Sequence, residues 1–267
     1  MIQRQLPVVL LFILLTGCAT RGTTGFITPD EDISPVAFSY TKDRPVIRIS
    51  DAQQATVIIY QHGTKRPSYR ENCKARIEEI PVSITALEEE PGTYIWFICS
   101  TATDDGTRGS YIFKRVAETD VVLDELLAAG VKPRNLFLAG HSAGGWVSLM
   151  AAQEIGAKFN AAIAFAPACC GSREEINRFP LWRKKTRPAQ VKQMLSADRL
   201  RALVFAYSDD AFNRPDELQF LMAQFPASTE LVGYDCKAGH TTHLNDCRSK
   251  ATTQRIHDYV LARKQDF

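Results

Sequence analysis

The chain predicts an α/β fold, a mostly parallel central sheet with helices on both faces, and three observations carry that prediction. β-rich apolar runs alternate with helical patterns along most of the length, a pattern that calls for parallel strands joined by crossover helices and covered on both sides. The pentapeptide Gly140-His141-Ser142-Ala143-Gly144 stands between an apolar run, Leu136 to Ala139, and a small-residue helical segment that starts at Gly145. Finally, a carboxylate-bearing turn and then a histidine-bearing loop follow the serine, each directly after a strand pattern.

The first element is not part of that fold. Arg4 supplies a basic n-region, Leu6 to Leu15 an apolar h-region, and Leu15-Thr16-Gly17-Cys18 a small-residue cleavage site, so residues 1–17 read as a secretory signal. The apolar run is too short for a comfortable membrane span. The tetrapeptide resembles the bacterial lipobox, which implies a mature chain beginning at a lipidated Cys18; Ala19 in place of Asp implies sorting to the outer membrane. Several acyl chains would anchor stably where one is marginal. Residues 18–44, rich in Thr, Gly, Pro and Asp, read as a tether.

From 45 to 267 the chain reads as one domain, of a size that buries a substantial core. Val46 to Ile49, Thr56 to Tyr60, Tyr94 to Cys99, Leu136 to Ala139, Ala161 to Ala166, Ala202 to Tyr207 and Glu230 to Tyr234 are expected strands. Tyr111 to Ala129, Gly145 to Ile155, Pro215 to Gln224 and Thr252 to Lys264 are expected helices, the first with Val116, Val121, Val122, Leu123, Leu126 and Leu127 on a broad apolar face. The stretch from Cys170 to Leu200, with Phe179-Pro180-Leu181-Trp182, falls between two strands as a small insert able to cap the site. Trp96 and Trp146 are expected in the core, and Trp182, in the insert, is expected either to meet substrate or to pack at the surface under a loop.

A net charge of +2 gives no indication of nucleic acid as a partner. The densest basic run, Arg183-Lys184-Lys185-Thr186-Arg187, reads as a solvated face. Of the seven cysteines, setting Cys18 aside leaves an even number in an oxidising compartment, which suggests disulfides. Cys236 with Cys247 is the favoured pair, since the two flank one loop; Cys73 with Cys99 follows, leaving Cys169 and Cys170 as a vicinal pair or with partners elsewhere.

The chemistry begins with the pentapeptide. A G-x-S-x-G turn after a strand and before a helix is a nucleophile elbow: its small residues allow backbone to approach backbone, and the corner pushes the serine oxygen out of the sheet. The Ala143 N–H, at a helix N-terminus, is then placed to meet an oxyanion. Serine needs a base and an orienting acid. Asp209 and Asp210 follow the strand Ala202 to Tyr207, and His240 and His243 follow the last strand. Asp209 and Asp210 are the candidates for the acid, and His240, whose preceding Gly239 permits a tight approach to the serine, and His243 are the candidates for the base. His240 and His243 also have a metal-ligand spacing, but no third ligand cluster accompanies them, so no metal is expected.

The order Ser, Asp, His, with the elbow, resembles the α/β-hydrolases, closest to compact dienelactone-hydrolase-like and esterase-like members, over roughly Pro45 to the C-terminus. Gln61-His62-Gly63-Thr64 after the strand Thr56 to Tyr60 looks like the family's His-Gly oxyanion loop, without its longer glycine run. The resemblance implies Ser142 as nucleophile, His240 as base, Asp210 as acid, and the N–H groups of Ala143 and of Gly63 or Thr64 as oxyanion donors, with His62 structural. It also implies a cofactor-free serine hydrolase of small-molecule or lipid-like esters, with amide cleavage and acyl transfer as further chemistries. The rival reading is an envelope binding or scaffolding lipoprotein that keeps the fold without turnover.

Overall fold

The computed structural model describes residues 26–28, 46–48, 51–64, 80–98, 100, 102, 109–177, 181–237, 239–244 and 249–267. The signal segment 1–17, Cys18, Cys73, Cys99 and Cys247 lie outside them. Two short strands, β1 (Phe26–Thr28) and β2 (Val46–Arg48), pair in parallel as a sheet of their own. This corrects two expectations: the tether contains a strand, and the strand at Val46 does not join the central sheet. Both triplets, Phe-Ile-Thr and Val-Ile-Arg, are dominated by β-branched or aromatic residues and so favour each other's extended backbone.

The central sheet has six parallel strands, β3 (Thr56–Gln61), β4 (Thr93–Ile98), β5 (Leu136–His141), β6 (Ala161–Phe165), β7 (Ala202–Tyr207) and β8 (Thr229–Tyr234), in the order β4-β3-β5-β6-β7-β8. The chain runs outward from β3 to β4 and returns to place β5 on the other side of β3. That reversal opens a crevice between the carboxyl ends of β3 and β5, the place where such sheets keep their sites.

Helices cover both faces. Beside Val57, Ile59 and Leu138 pack α2 (Tyr111–Ala128), α3 (Ala143–Ile155), α4 (Arg187–Met194) and α5 (Gln219–Gln224). Beside Ile58, Tyr60 and Phe137 pack α1 (Val82–Thr85) and α6 (Ser249–Gln265). Burial on both faces is why the strands read as continuous apolar runs rather than as alternations. Phe165 stacks on Phe205 at 5.1 Å and Phe205 on Tyr234 at 6.0 Å, an aromatic ladder across β6, β7 and β8. Each fully buried ring contributes about 2–3 kcal/mol by leaving water.

Candidate active site

β5 runs straight into Ser142, whose backbone sits at φ 54° and ψ −118°. A non-glycine residue held there costs about 1–3 kcal/mol, so its surroundings must hold it. They do so through both peptide groups: the Ser142 N–H donates to the Phe165 carbonyl at 3.0 Å, and the Ser142 carbonyl accepts from Trp146 N–H at 2.9 Å and Ala168 N–H at 3.0 Å. The flanking glycines are required by space. A Cβ on Gly140 would lie 2.5 Å from the Gly144 carbonyl carbon, and one on Gly144 would lie 2.1 Å from the Gln61 carbonyl oxygen. α3 starts at Ala143, so the Ala143 N–H belongs to the first turn, whose donors have no partner within the helix.

The loop after β3 lies against the serine. A Cβ on Gly63 would come within 3.2 Å of both the Ser142 Cβ and His141 Nδ1. Thr64 Oγ1 donates to the Tyr111 hydroxyl at 2.9 Å. His62 is buried and bonds its own surroundings: Nδ1–H donates to the Gly63 carbonyl at 2.6 Å and Nε2 accepts the Ser100 N–H at 3.1 Å, which assigns the tautomer. Arg115, fully buried, donates to the carbonyls of His62 at 2.7 Å and Ala102 at 2.8 Å. Beside it, burial raises the Glu118 carboxyl above its ordinary range against the opposing pull of Ser100 and Arg115.

His240 and Asp210 complete a continuous chain. His240 Nε2 lies 2.7 Å from Ser142 Oγ, and Nδ1–H donates to Asp210 Oδ2 at 2.9 Å. Asp210 is fully buried, and its other oxygen accepts the Phe212 N–H at 2.6 Å. The His240 ring stands 4.2 Å from the Phe212 ring and 4.8 Å from the His141 ring. Asp209 points elsewhere in the same loop system: its carboxylate accepts the Gly239 N–H at 2.9 Å, directly before the histidine. His141 Nε2–H donates to the His240 carbonyl at 2.8 Å, so the elbow's own second residue holds the histidine loop. The His243 side chain and Ala238 lie outside the described residues. Burial pushes the Tyr207 phenol above its ordinary range, with Tyr234 and Asp210 adding to the shift.

The insert departs from expectation. Its basic run is not a solvated face: the Arg183 side chain is 8% exposed, and burial lowers the Arg187 guanidinium below its ordinary value. Both arginines reach inward to carbonyls and to Glu217, while Lys184 and Lys185 remain exposed. Trp182 is buried beside Gly171 within the helix-side core, and so is not an exposed substrate platform. Trp96 and Trp146 are core residues as expected, with Trp146 Nε1–H donating to Gln190 at 2.8 Å. Cys169 and Cys170 form a vicinal disulfide. Cys236 is disulfide-bonded, and Cys247 lies outside the described residues. No metal-binding cluster of His, Cys, Asp and Glu occurs among the described residues.

Solved structures share this plan. DcsB in complex with its substrate analogue is 13% identical, with 78% of this chain covering 91% of that one at a TM-score of 0.58. Esterase 2 of Thermogutta terrifontis with butyrate bound is 16% identical, covering 79% and 84% at a TM-score of 0.53. The same esterase phosphonylated by sarin is 15% identical over the same shares, at a TM-score of 0.55. The chain has the α/β-hydrolase fold. The Esterase family model, described as "Putative esterase", matches residues 123–243, a stretch that contains Ser142, Asp210 and His240. No curated protein sequence matches the chain.

Within this α/β-hydrolase fold the local motifs mark the serine and the two loops but not what holds the loops still. His141 is the variable position of the elbow, and its donor role is visible only once β5 and the histidine loop meet. Arg173, Arg183 and Asn213 carry no motif, although the density of arginines between Arg173 and Arg187 was a signal available in the sequence.

Proposed function

We propose that the protein is a serine hydrolase of carboxylic esters acting through an acyl-enzyme. The observation that carries this reading is the unbroken chain Ser142 Oγ, His240, Asp210, at 2.7 Å and 2.9 Å, beside a helix N-terminus and a Gly63-Thr64 loop. Ser142 Oγ attacks the ester carbonyl carbon while His240 Nε2 takes its proton. Asp210 keeps the other imidazole nitrogen protonated and stabilises the imidazolium. The carbonyl oxygen becomes an oxyanion that the N–H of Ala143 and that of Gly63 or Thr64 receive. His240 then protonates the departing alkoxide, and water, activated by the same histidine, releases the acid. The butyrate-bound esterase of like fold supports an ester as the substrate.

The same proposal places the enzyme at the bacterial outer membrane through lipid on Cys18, supported by the pattern Leu15-Thr16-Gly17-Cys18. No helix among the described residues is long and apolar enough to cross a membrane. Cys18→Ser is expected to release the protein from membranes and abolish lipid labelling; unchanged partitioning with intact labelling would refute the anchor.

The test of the chemistry is hydrolysis of p-nitrophenyl esters of increasing acyl length by the full chain, with Ser142→Ala alongside. Loss of about 10⁴-fold or more in kcat supports the reading. Activity retained in Ser142→Ala, or no labelling of folded wild type by a fluorophosphonate probe, overturns it in favour of a binding protein.

A further inference from the structure

The insert after β6 makes a set of contacts that the triad does not explain. Three consecutive carbonyls of the acid loop, those of Asp210, Ala211 and Phe212, are each taken by a donor from the insert side. The Arg173 guanidinium donates to the Asp210 carbonyl. The Arg173 backbone N–H donates to the Ala211 carbonyl at 2.9 Å. The Arg183 guanidinium donates to the Phe212 carbonyl at 2.6 Å. These three contacts set the tilt of the peptide units around Asp210, including the one whose Phe212 N–H binds Asp210 Oδ1.

Glu217 spreads the two guanidinium groups into that arrangement. Its carboxylate accepts Arg173 Nη1–H at 2.7 Å on one oxygen and Arg183 Nη2–H at 2.5 Å on the other, and the Arg214 N–H adds a third bond at 3.0 Å. Burial alone would raise the Glu217 carboxyl, but these donors outweigh it and hold the group below its ordinary value. Arg187 ties the same loop at its far end, donating to Asn213 Oδ1 at 3.1 Å and to the Glu217 carbonyl at 2.9 Å. Asn213, fully buried, in turn donates to the Pro167 carbonyl at 2.8 Å, next to the Ala168 whose N–H holds Ser142. Charged donors on carbonyls are stronger and more directional than neutral ones, and a shared carboxylate makes the group act as a unit.

We propose that the insert is a clamp for the catalytic acid, with Arg173, Arg183 and Glu217 as positioning residues that act on turnover through Asp210. The proposal rests on the assignment of Asp210 as the acid of the triad. Removing the Arg173 guanidinium frees the Asp210 carbonyl, lets the peptide units swing, and turns the carboxylate away from His240 Nδ1. The cost falls on kcat, because the alignment matters most as the imidazolium forms. Substrate affinity is left alone.

The experiment is a double-mutant cycle in the full chain with Arg173→Met and Asp210→Asn, reading kcat and KM on p-nitrophenyl butyrate and the rate of phosphonylation of Ser142 by a fluorophosphonate. Arg173→Met is expected to lower kcat and the labelling rate about 10- to 100-fold with KM within about twofold. In the Asp210→Asn background the same change is expected to cost under about twofold, because the group it positions is already disabled. Arg173→Lys, which keeps a charged donor, is expected to recover much of the loss. Should Arg173→Met fail to fold, Glu217→Gln takes its place in the cycle with the same expectation. Equal losses in both backgrounds, or a raised KM at unchanged kcat, overturn the clamp while leaving the hydrolase standing. A wild type that neither turns over the ester nor labels at Ser142 overturns both.

Discussion

The two halves of the site are held by different physics. The Ser142 half is rigid through backbone alone: Gly140 and Gly144 are jammed against neighbouring main chain, and Ser142 is pinned at both its peptide groups. The Asp210 and His240 half consists of loops after β7 and β8, and it is held by side chains that come from elsewhere, Arg173 and Arg183 on the Asp210 loop, His141 and Asp209 on the histidine loop. A steric corner has little freedom, so it can be written into five adjacent residues. A loop held by distant hydrogen bonds can be loosened one bond at a time, and defects there should show in rate before they show in stability.

The sharpest break of this contrast is Gly144→Ala. The added Cβ would lie 2.1 Å from the Gln61 carbonyl oxygen, a backbone atom with no room to move. The expected outcome is a loss of at least about 3 kcal/mol in urea unfolding, or failure to fold, with activity lost in consequence. Wild-type stability in this variant would mean that the elbow is far softer than its geometry implies. Next in size, Asp210→Asn is expected to fold normally and lose about 10³- to 10⁴-fold in kcat, whereas Asp209→Asn, which only weakens the hold on the Gly239 N–H, is expected to lose under about tenfold. Reversal of that ranking would exchange the roles of the two carboxylates.

The same contrast explains what could be read from the sequence. The strands β3 to β7 are legible because they are buried along nearly their whole length and therefore appear as apolar runs, and the elbow because steric demand selects small residues in a fixed local spacing. Asp210 and His240 could be narrowed to pairs of candidates, since each follows a strand end, but local pattern alone cannot choose between neighbours one or three residues apart. The basic run suggests solvent at Arg183 and Arg187, as such runs ordinarily do, and only the fold reveals Glu217 and the carbonyls of the Asp210 loop opposite it. The pairing of Phe26–Thr28 with Val46–Arg48 has the same origin: partners far apart in sequence leave no local trace.

An intermediate effect is expected at Asn213, which joins the two halves. Asn213→Ala leaves the buried Pro167 carbonyl without its side-chain donor and the Arg187 Nε–H without its acceptor. The expected cost is about 1–3 kcal/mol in stability, accompanied by a fall in kcat, since the bond spans both the Ser142 and the Asp210 segments. A stability loss with unchanged kcat would show that the halves are mechanically independent.

The smallest effect lies on the opposite side of the sheet and serves to separate stability from catalysis. Glu88 follows α1, and its Oε1 is buried without a hydrogen-bond partner. Burial pushes its carboxyl up to about 7. The folded state therefore holds a proton that the unfolded chain has already released above about pH 4.5, so the contribution of this group to stability falls as pH rises from about 4.5 to about 7 and stays low above that. Glu88→Gln keeps the shape and removes the charge. Because the group is only partly buried, the expected gain is modest: a Tm rise on the order of 1–3 °C at pH 8 and almost none at pH 4. The kcat/KM profile against pH should be superimposable on that of wild type, because Glu88 follows Leu87 in the short helix after α1, whereas His240 lies in the loop after β8. A shift in that profile would mean that charge on the α6 face reaches the base through the sheet, and the division of the site into a steric half and a hydrogen-bonded half would have to include it.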